Sequence, residues 1–313
     1  MITSIKVQRR MDFSILLCTF FLSFFIWDTK MDTKKSERLI SIQPYFVMGT
    51  KDFCQHILVK NGISHFFSFS NKSGDDITVP LVVDGCSNLI FEYKGDSVRT
   101  HFIGSTVETR TFSVKKDAEY FGIRLLPTGS AFIKEVSIKD TIGKIIILDE
   151  LESTKDFCKK MEQQKDFDSR MRVFLEEYPK LREDILNNDK QAELFKQIAE
   201  LIIQRRGKVR ISELEELSGY SSRYINKIFD KELGMSAKQL CSSVKFQFLI
   251  SDINKGTSKN LTSISSEYNF YDQAHFIHEF KEFSGKTPSE YSTEVENKQY
   301  RENVTTLRDE RMQ

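Results

Sequence analysis

The chain has 313 residues, with 46 Lys and Arg against 45 Asp and Glu and a net charge of +1. That balance argues against a polybasic tail made for membranes or nucleic acid, and the length suits two domains, each able to bury its own core. Its five cysteines (Cys18, Cys54, Cys86, Cys158 and Cys241) are scattered, odd in number and without CxxC spacing. This speaks against a disulfide framework or a zinc module and suits a reducing cytosol.

Residues 1–30 form an apolar N-terminal extension. Phe13 to Trp27 is almost wholly apolar and follows Lys6, Arg9 and Arg10, the layout of a signal peptide or of a short membrane anchor. Its 15 residues fall short of the ~20 that a spanning helix needs. No small-x-small cleavage site follows, and Lys30, Lys34 and Lys35 flank it on the far side. The first reading is a start-site artefact, with Met31 as the true beginning. The second is a membrane-anchored regulator held through residues 13–27.

Residues 41–150 are expected to be β-rich. Val79–Val83, Leu89–Tyr93, Thr109–Val114 and Tyr120–Leu126 are short β-branched or aromatic runs, punctuated by Asp84-Gly85, Lys94-Gly95-Asp96 and Pro127-Thr128-Gly129. The spacing suits a small barrel or sandwich. His56, His65 and His101 lack the paired spacing of a metal-binding barrel, and no HxH occurs, so no metal is expected. There is no nucleophile elbow, P-loop or GxGxxG; neither a catalytic residue nor a cofactor is assigned. Arg124 on its strand suits an anionic effector or, more simply, a strand-edge salt bridge.

Residues 151–186 look helical, with Leu151, Phe157, Met161, Phe167, Met171, Phe174 and Leu175 interleaved with charge, until Pro179 breaks or bends the path. Such a linker helix serves dimerisation and signal relay, or simply packs on the preceding domain.

Residues 187–296 are expected to be all-α, with two helix-turn-helix units. In the first, ISELEELSGYSSRYINKIFDKELG over 211–234, Ser212 and Glu215 have capping-box spacing, Gly219 makes the reversal, and Ser221 caps a second helix. Ile225, Ile228 and Phe229 form its apolar side; Arg223, Asn226 and Lys227 project opposite. A helix over 236–254 carries Leu240, Val244 and Phe248 at i, i+4 spacing. In the second unit, LTSISSEYNFYDQAHFIHEFKEFSGKTPSEY over 261–291, Thr262 is a plausible N-cap and Asn269 sits at the reversal. At about 100° per residue, Phe276, Phe280 and Phe283 share one side, while Gln273, Ala274, Ile277 and His278 face away. A helix then ends at Ser284-Gly285. Arg, Asn, Lys and Gln in such places read base edges or hold phosphates. Against this, residues 190–296 carry as many acidic as basic residues, 15 of each. The cluster Arg205, Arg206, Lys208 and Arg210 offsets that locally. The tail, 297–313, is polar and expected to fray.

The strings Phe270-Tyr271-Asp272-Gln273-Ala274-His275-Phe276, Phe280-Lys281 and Gly285-Lys286-Thr287-Pro288-Ser289-Glu290-Tyr291, with Gly219-Tyr220-Ser221, Ile228-Phe229 and Leu233-Gly234 before them, resemble the DNA-binding domain of AraC/XylS-type transcriptional regulators over residues 190–291. The resemblance implies that two recognition helices enter successive major-groove segments. Its base-facing positions fall on Arg223, Asn226 and Lys227, then on Gln273, Ala274, Ile277 and His278. His278 stands where the family often has Arg, Ile277 where a small polar residue is common, Asn269 for a turn glycine, Ala237 for a frequent proline, and Lys245 for an arginine. The first helix is therefore expected to carry more of the specificity. Asp84-Gly85-Cys86-Ser87-Asn88-Leu89-Ile90-Phe91 and Phe121-Gly122-Ile123-Arg124-Leu125-Leu126-Pro127 are similar to the N-terminal domain of one subgroup of these regulators, which implies sensing or oligomerisation.

The expectation is an α+β, cytoplasmic, nucleoid-associated regulator and activator of transcription. Promoter DNA, RNA polymerase, a second copy joined through the N-terminal domain or linker helix, and an unidentified small-molecule effector are its implied partners. The competing reading is a signalling module whose helix pairs contact protein rather than DNA.

Overall fold

The computed structural model describes residues 40–183, 190–256, 261–268 and 270–307. The apolar stretch 13–27 and Asn269 lie outside them. No described helix is long and apolar enough to cross a membrane.

The N-terminal half begins with a short helix, α1 (Pro44–Gly49), and continues through β1 (Lys51–Lys60), β2 (Ile63–Asn71), β3 (Ile77–Leu81), β4 (Ser87–Lys94), β5 (Ser97–Ile103), β6 (Arg110–Val114), β7 (Ala118–Leu125), α2 (Ile138–Thr141) and β8 (Ile145–Ile147). Seven strands form one open sheet in the order β8-β5-β4-β7-β2-β1-β9, where β9 (Val304–Leu307) comes from the end of the chain, and β3 pairs with β6 as a separate ribbon. The ribbon packs over one face of the sheet, as in a sandwich. A closed barrel is not formed, because β8 and β9 remain as unjoined edges.

Both faces of the sheet are buried, and the pleat sends alternate side chains to different cores. On β2, Phe67 and Phe69 join Phe46, Phe112 and Tyr120 on the ribbon side. Phe66 joins Phe91, Phe121 and Phe174 on the other. On β2, burial of both faces removes the clean apolar-polar alternation that marks a strand in sequence; β1, β5 and β8, which keep exposed positions, were also not expected.

The far face is covered by α3 (Lys155–Glu162) and α4 (Phe167–Glu183). Phe157, Met161, Phe174 and Tyr178 seat them there. Of the expected break or bend at Pro179, the break does not occur: the helix continues through it. The tail also departs from expectation: Val304–Leu307 forms β9, a parallel partner of β1, instead of fraying. Gln55 Nε2 donates to Thr306 Oγ1 at 3.0 Å across that pairing.

The C-terminal half holds α5 (Lys190–Gln204), α6 (Ile211–Ser218), α7 (Ser222–Leu233), α8 (Ala237–Asn254), α9 (Leu261–Glu267), α10 (Gln273–Ser284) and α11 (Pro288–Asn297). Its core is continuous with the ribbon-side core of the first half: Tyr45, Val82 and Cys86 belong to the same cluster as Met235, Leu240 and Tyr291.

At this junction lies a buried polar network. Arg124, 1% exposed, stands on the central strand β7 and pairs with Asp84, so it is neither at a strand edge nor open to an effector. It also donates to Asn88 Oδ1 at 2.6 Å and to Ser41 Oγ at 3.0 Å. Asp84 accepts further bonds from Gln43 Nε2 and from the Cys86 N–H. Beside it, burial and the charge of Arg124 push His65 down to about 3.

That shift carries a sign. Unfolded, His65 takes up a proton near pH 6.5; folded, it does so only near pH 3. Stability is therefore expected to fall as pH drops from about 6.5 toward 3, by up to about 1.4 kcal/mol per pH unit. Urea midpoints measured across that range check this. A His65→Gln variant with an unchanged pH slope would refute it.

Candidate nucleic-acid interface

The first unit is α6, a reversal, and α7. Gly219 ends α6 in the left-handed conformation at φ 72°, which favours glycine. Ser221 then caps α7 by accepting the Tyr224 N–H. The capping box expected at Ser212 and Glu215 does not form. Arg210 precedes α6 without a side-chain cap, and Glu215 accepts the Ser222 N–H instead, which ties α6 to the start of α7.

On α7, Ile225, Ile228, Phe229 and Leu233 are all buried, while Arg223 and Lys227 are exposed. Asn226 is half-buried, and its Oδ1 accepts the Ala237 N–H at 3.2 Å. This contact accounts for Ala237 at a place where proline is common. A proline at the first helical position has no N–H to satisfy; alanine does, and Asn226 takes it. Ser236 and Gln239 complete a capping box at the start of α8.

The second unit is α9, a turn, and α10. Thr262 falls within α9 rather than ahead of it. Asp272, not foreseen as a cap, accepts the His275 N–H at 2.7 Å and starts α10. Phe276 and Phe280 are buried, and Gly285 closes the helix at φ 78°. Phe283 is half-buried and packs edge-on to Phe246 with ring centres 5.3 Å apart. Gln273, Ala274, Ile277 and His278 are all exposed. Thr287 and Glu290 form a capping box on α11 behind Pro288.

The basic cluster is committed internally. Arg205 pairs with Glu213 at 3.2 Å. Arg206 bridges Asp252 and the Tyr268 hydroxyl with its guanidinium over the Phe248 ring. Lys208 donates to the Glu267 carbonyl. These contacts brace α6, α8 and α9 against one another, and only Arg210 of the four is exposed. Lys245, where an arginine is common, lies over the Phe270 ring and pairs with Glu279 of α10 at 3.0 Å.

The N-terminal half grips both outward helices at their C-terminal ends. Lys139 of α2 pairs with Asp230 of α7 at 2.6 Å. Gly234, just past α7, packs so tightly on α2 that a Cβ there would lie 2.8 Å from the Lys139 Cα. At α10, the Val83 N–H donates to the Phe283 carbonyl at 3.1 Å, and Thr109 Oγ1 donates to the carbonyls of Glu282 and Phe283. Between them, Gln247 of α8 accepts the Ile42 N–H at 2.8 Å, accepts from Ser41 and donates to the Val83 carbonyl. Through Ser41, the Arg124 network thus reaches α8. Nothing in the sequence marked Val83, Thr109 or Lys139 for this role. Gln247 carried a signal, a polar residue at the apolar spacing of α8.

Known proteins resemble the two halves of the chain separately. A helix-turn-helix domain family model matches residues 214–294, and a domain of unknown function (DUF6597) matches residues 57–146. An uncharacterized HTH-type transcriptional regulator of Staphylococcus aureus (strain MSSA476) is 27% identical over 110 residues, 35% of this chain and 14% of that protein. The Msm operon regulatory protein of Streptococcus mutans serotype c is 26% identical over 129 residues, 40% of this chain and 45% of that protein. The chain thus spans less than half the length of either relative. A crystal structure of apo ToxT from Vibrio cholerae strain SCE256 aligns at a TM-score of 0.41 and 12% identity over 75% of this chain and 98% of that one, a likeness of outline only. With its two capped units on one connecting helix, residues 214–294 of this chain form a helix-turn-helix domain of the AraC type.

Proposed function

We propose that the chain is a sequence-specific, double-stranded DNA-binding transcriptional regulator, with α7 and α10 entering successive major-groove segments and the N-terminal half governing their placement. The observation that carries this reading is the pair of capped helices on one connecting helix, each buried on one side and free on the other. α8 has 18 residues, about 27 Å of helix, a length suited to two sites about 34 Å apart on B-DNA. Arg223 and Lys227 are the strongest readers by chemistry; Asn226 divides its amide between DNA and the start of α8. Gln273, Ala274, Ile277 and His278 form the second reading surface.

Regulation through the N-terminal half is supported by its contacts with both recognition helices and with Gln247. An effector or a second copy bound there would act by shifting those contacts. RNA polymerase is the expected protein partner at the promoter, and the cytoplasm, at the nucleoid, is the place such work requires. No enzymatic activity is part of this reading.

The neutral charge of residues 190–296 and the internal use of Arg205, Arg206 and Lys208 favour a second reading, in which the helix pairs contact protein. Selection of bound duplexes from a randomised library, followed by mobility shift at several salt concentrations, separates the two. A DNA regulator enriches one sequence and binds it less tightly as salt rises. Absence of duplex binding even at low salt would leave only the protein-contact reading.

A further inference from the structure

We infer that α10 reads its half-site through thymine methyl groups, so that the second unit selects an A·T-rich segment by apolar contact more than by charged hydrogen bonds. This rests on the DNA-binding reading above and adds a chemical class of target to it. Tyr271 is 93% exposed and Ile277 41%, and both are among the exposed large hydrophobic residues of the described chain. Ala274, also exposed, lies three residues before Ile277 on the same side of α10, and Tyr271 stands at the mouth of that helix, just ahead of its cap Asp272.

A single exposed apolar side chain is ordinary. Two on the exposed face of one helix, with a third at its mouth, make a different surface. It is continuous with Gln273 and His278 and lies at the helix end whose backbone N–H groups favour a polyanion. The hydrophobic contact that normally fixes the chain entering a helix is made here by Phe270, whose ring lies 5.0 Å from that of Phe276. Tyr271 is therefore not needed for folding and stands clear of the core.

Major-groove chemistry gives this surface one matching feature. Thymine alone among the four bases presents a C5-methyl there, and Ala and other apolar side chains contact it. Gln273, exposed at the first position of α10, suits the N6 and N7 edge of adenine. Both features point to A·T pairs. On α7 the outward positions are Arg223 and Lys227, so the two halves of one site would be read by different chemistry.

The test uses the full chain and its selected duplex, with thymine replaced by deoxyuridine in one half-site at a time, which removes only the methyl groups. Binding by the unmodified duplex is the control: its failure overturns the DNA-binding reading and this inference together. If that duplex binds, deoxyuridine in one half-site is expected to weaken binding about fourfold for each contacted methyl, the value for burying one methylene-sized group. Ile277→Ala and Tyr271→Ala should each weaken the thymine duplex and be nearly silent on the deoxyuridine one. Both sites are on the surface, so folding should survive, and thermal melts check this. Equal binding to thymine and deoxyuridine duplexes overturns the inference while leaving the DNA-binding reading intact. So does a strictly additive effect of Ile277→Ala and the base change, which would place the methyl sensitivity elsewhere.

Discussion

Asp84→Ala is expected to lower the unfolding free energy by about 3–5 kcal/mol, because it strands a buried guanidinium. Asp84 and Arg124 are both essentially inaccessible, with side chains 2% and 1% exposed. The carboxylate also accepts from Gln43 and from the Cys86 N–H, so its removal leaves three donors short of a partner. The remaining contacts of Arg124, to Asn88 and Ser41, are neutral and do not balance its charge. At about 2–4 °C per kcal/mol for a chain of this size, the melting temperature should fall by roughly 10 °C. Thermal denaturation followed by circular dichroism measures this directly. A melting temperature within about 2 °C of wild type would mean that the pair is not buried as described. Replacing both partners with apolar residues of similar volume should recover much of the loss, since no unpaired charge then remains.

The same substitution should disturb the C-terminal half. Ser41 receives Arg124 on one side and meets Gln247 on the other, so a shift of Arg124 is felt at the middle of α8. The N-terminal half thereby touches the connecting helix as well as the ends of α7 and α10.

Arg223→Ala and Lys227→Ala are each expected to weaken specific DNA binding by about 1–3 kcal/mol, roughly 5- to 150-fold. Both side chains are exposed on α7, while the apolar side of that helix is buried and capped at both ends. The substitutions should therefore leave folding unchanged. An arginine that reads guanine relaxes specificity at one base when lost; a lysine on phosphate weakens all sequences alike and lowers the salt slope by about one. Competition binding against single-base variants of the site distinguishes these roles. If both variants bind as wild type does, α7 is not the main reader. Asn226→Ala is a less clean probe, because it also removes the acceptor of the Ala237 N–H.

Much of the exposed surface of α7 and α10 was legible in the sequence, for a local reason. Helix boundaries follow from short-range chemistry: Gly219 and Gly285 in left-handed turns, Ser221 as a cap, and apolar residues at helical spacing. Within about four residues such signals nearly suffice, and Gln273, Ala274, Ile277 and His278 were placed outward by periodicity alone. Where two local rules competed, the tertiary context decided. Glu215 had the spacing to cap α6 but serves the start of α7. Pro179 lacks an N–H, yet α4 runs through it, packed on the sheet by Phe174 and Tyr178.

The two helix-turn-helix units, the helix between them and the β-rich character of the first half can be read along the chain, because caps, turns and periodicity act between near neighbours. The order of the strands, the return of residues 304–307 to the edge at β1 and the burial of Arg124 against Asp84 follow from the folded chain alone. The same holds for Arg205, Arg206 and Lys208, which brace the domain, and for Val83, Thr109 and Lys139, which hold the ends of α7 and α10. Each of these joins groups far apart in the chain, and a pattern read over a few residues carries no record of which distant partner will satisfy a charge or a carbonyl.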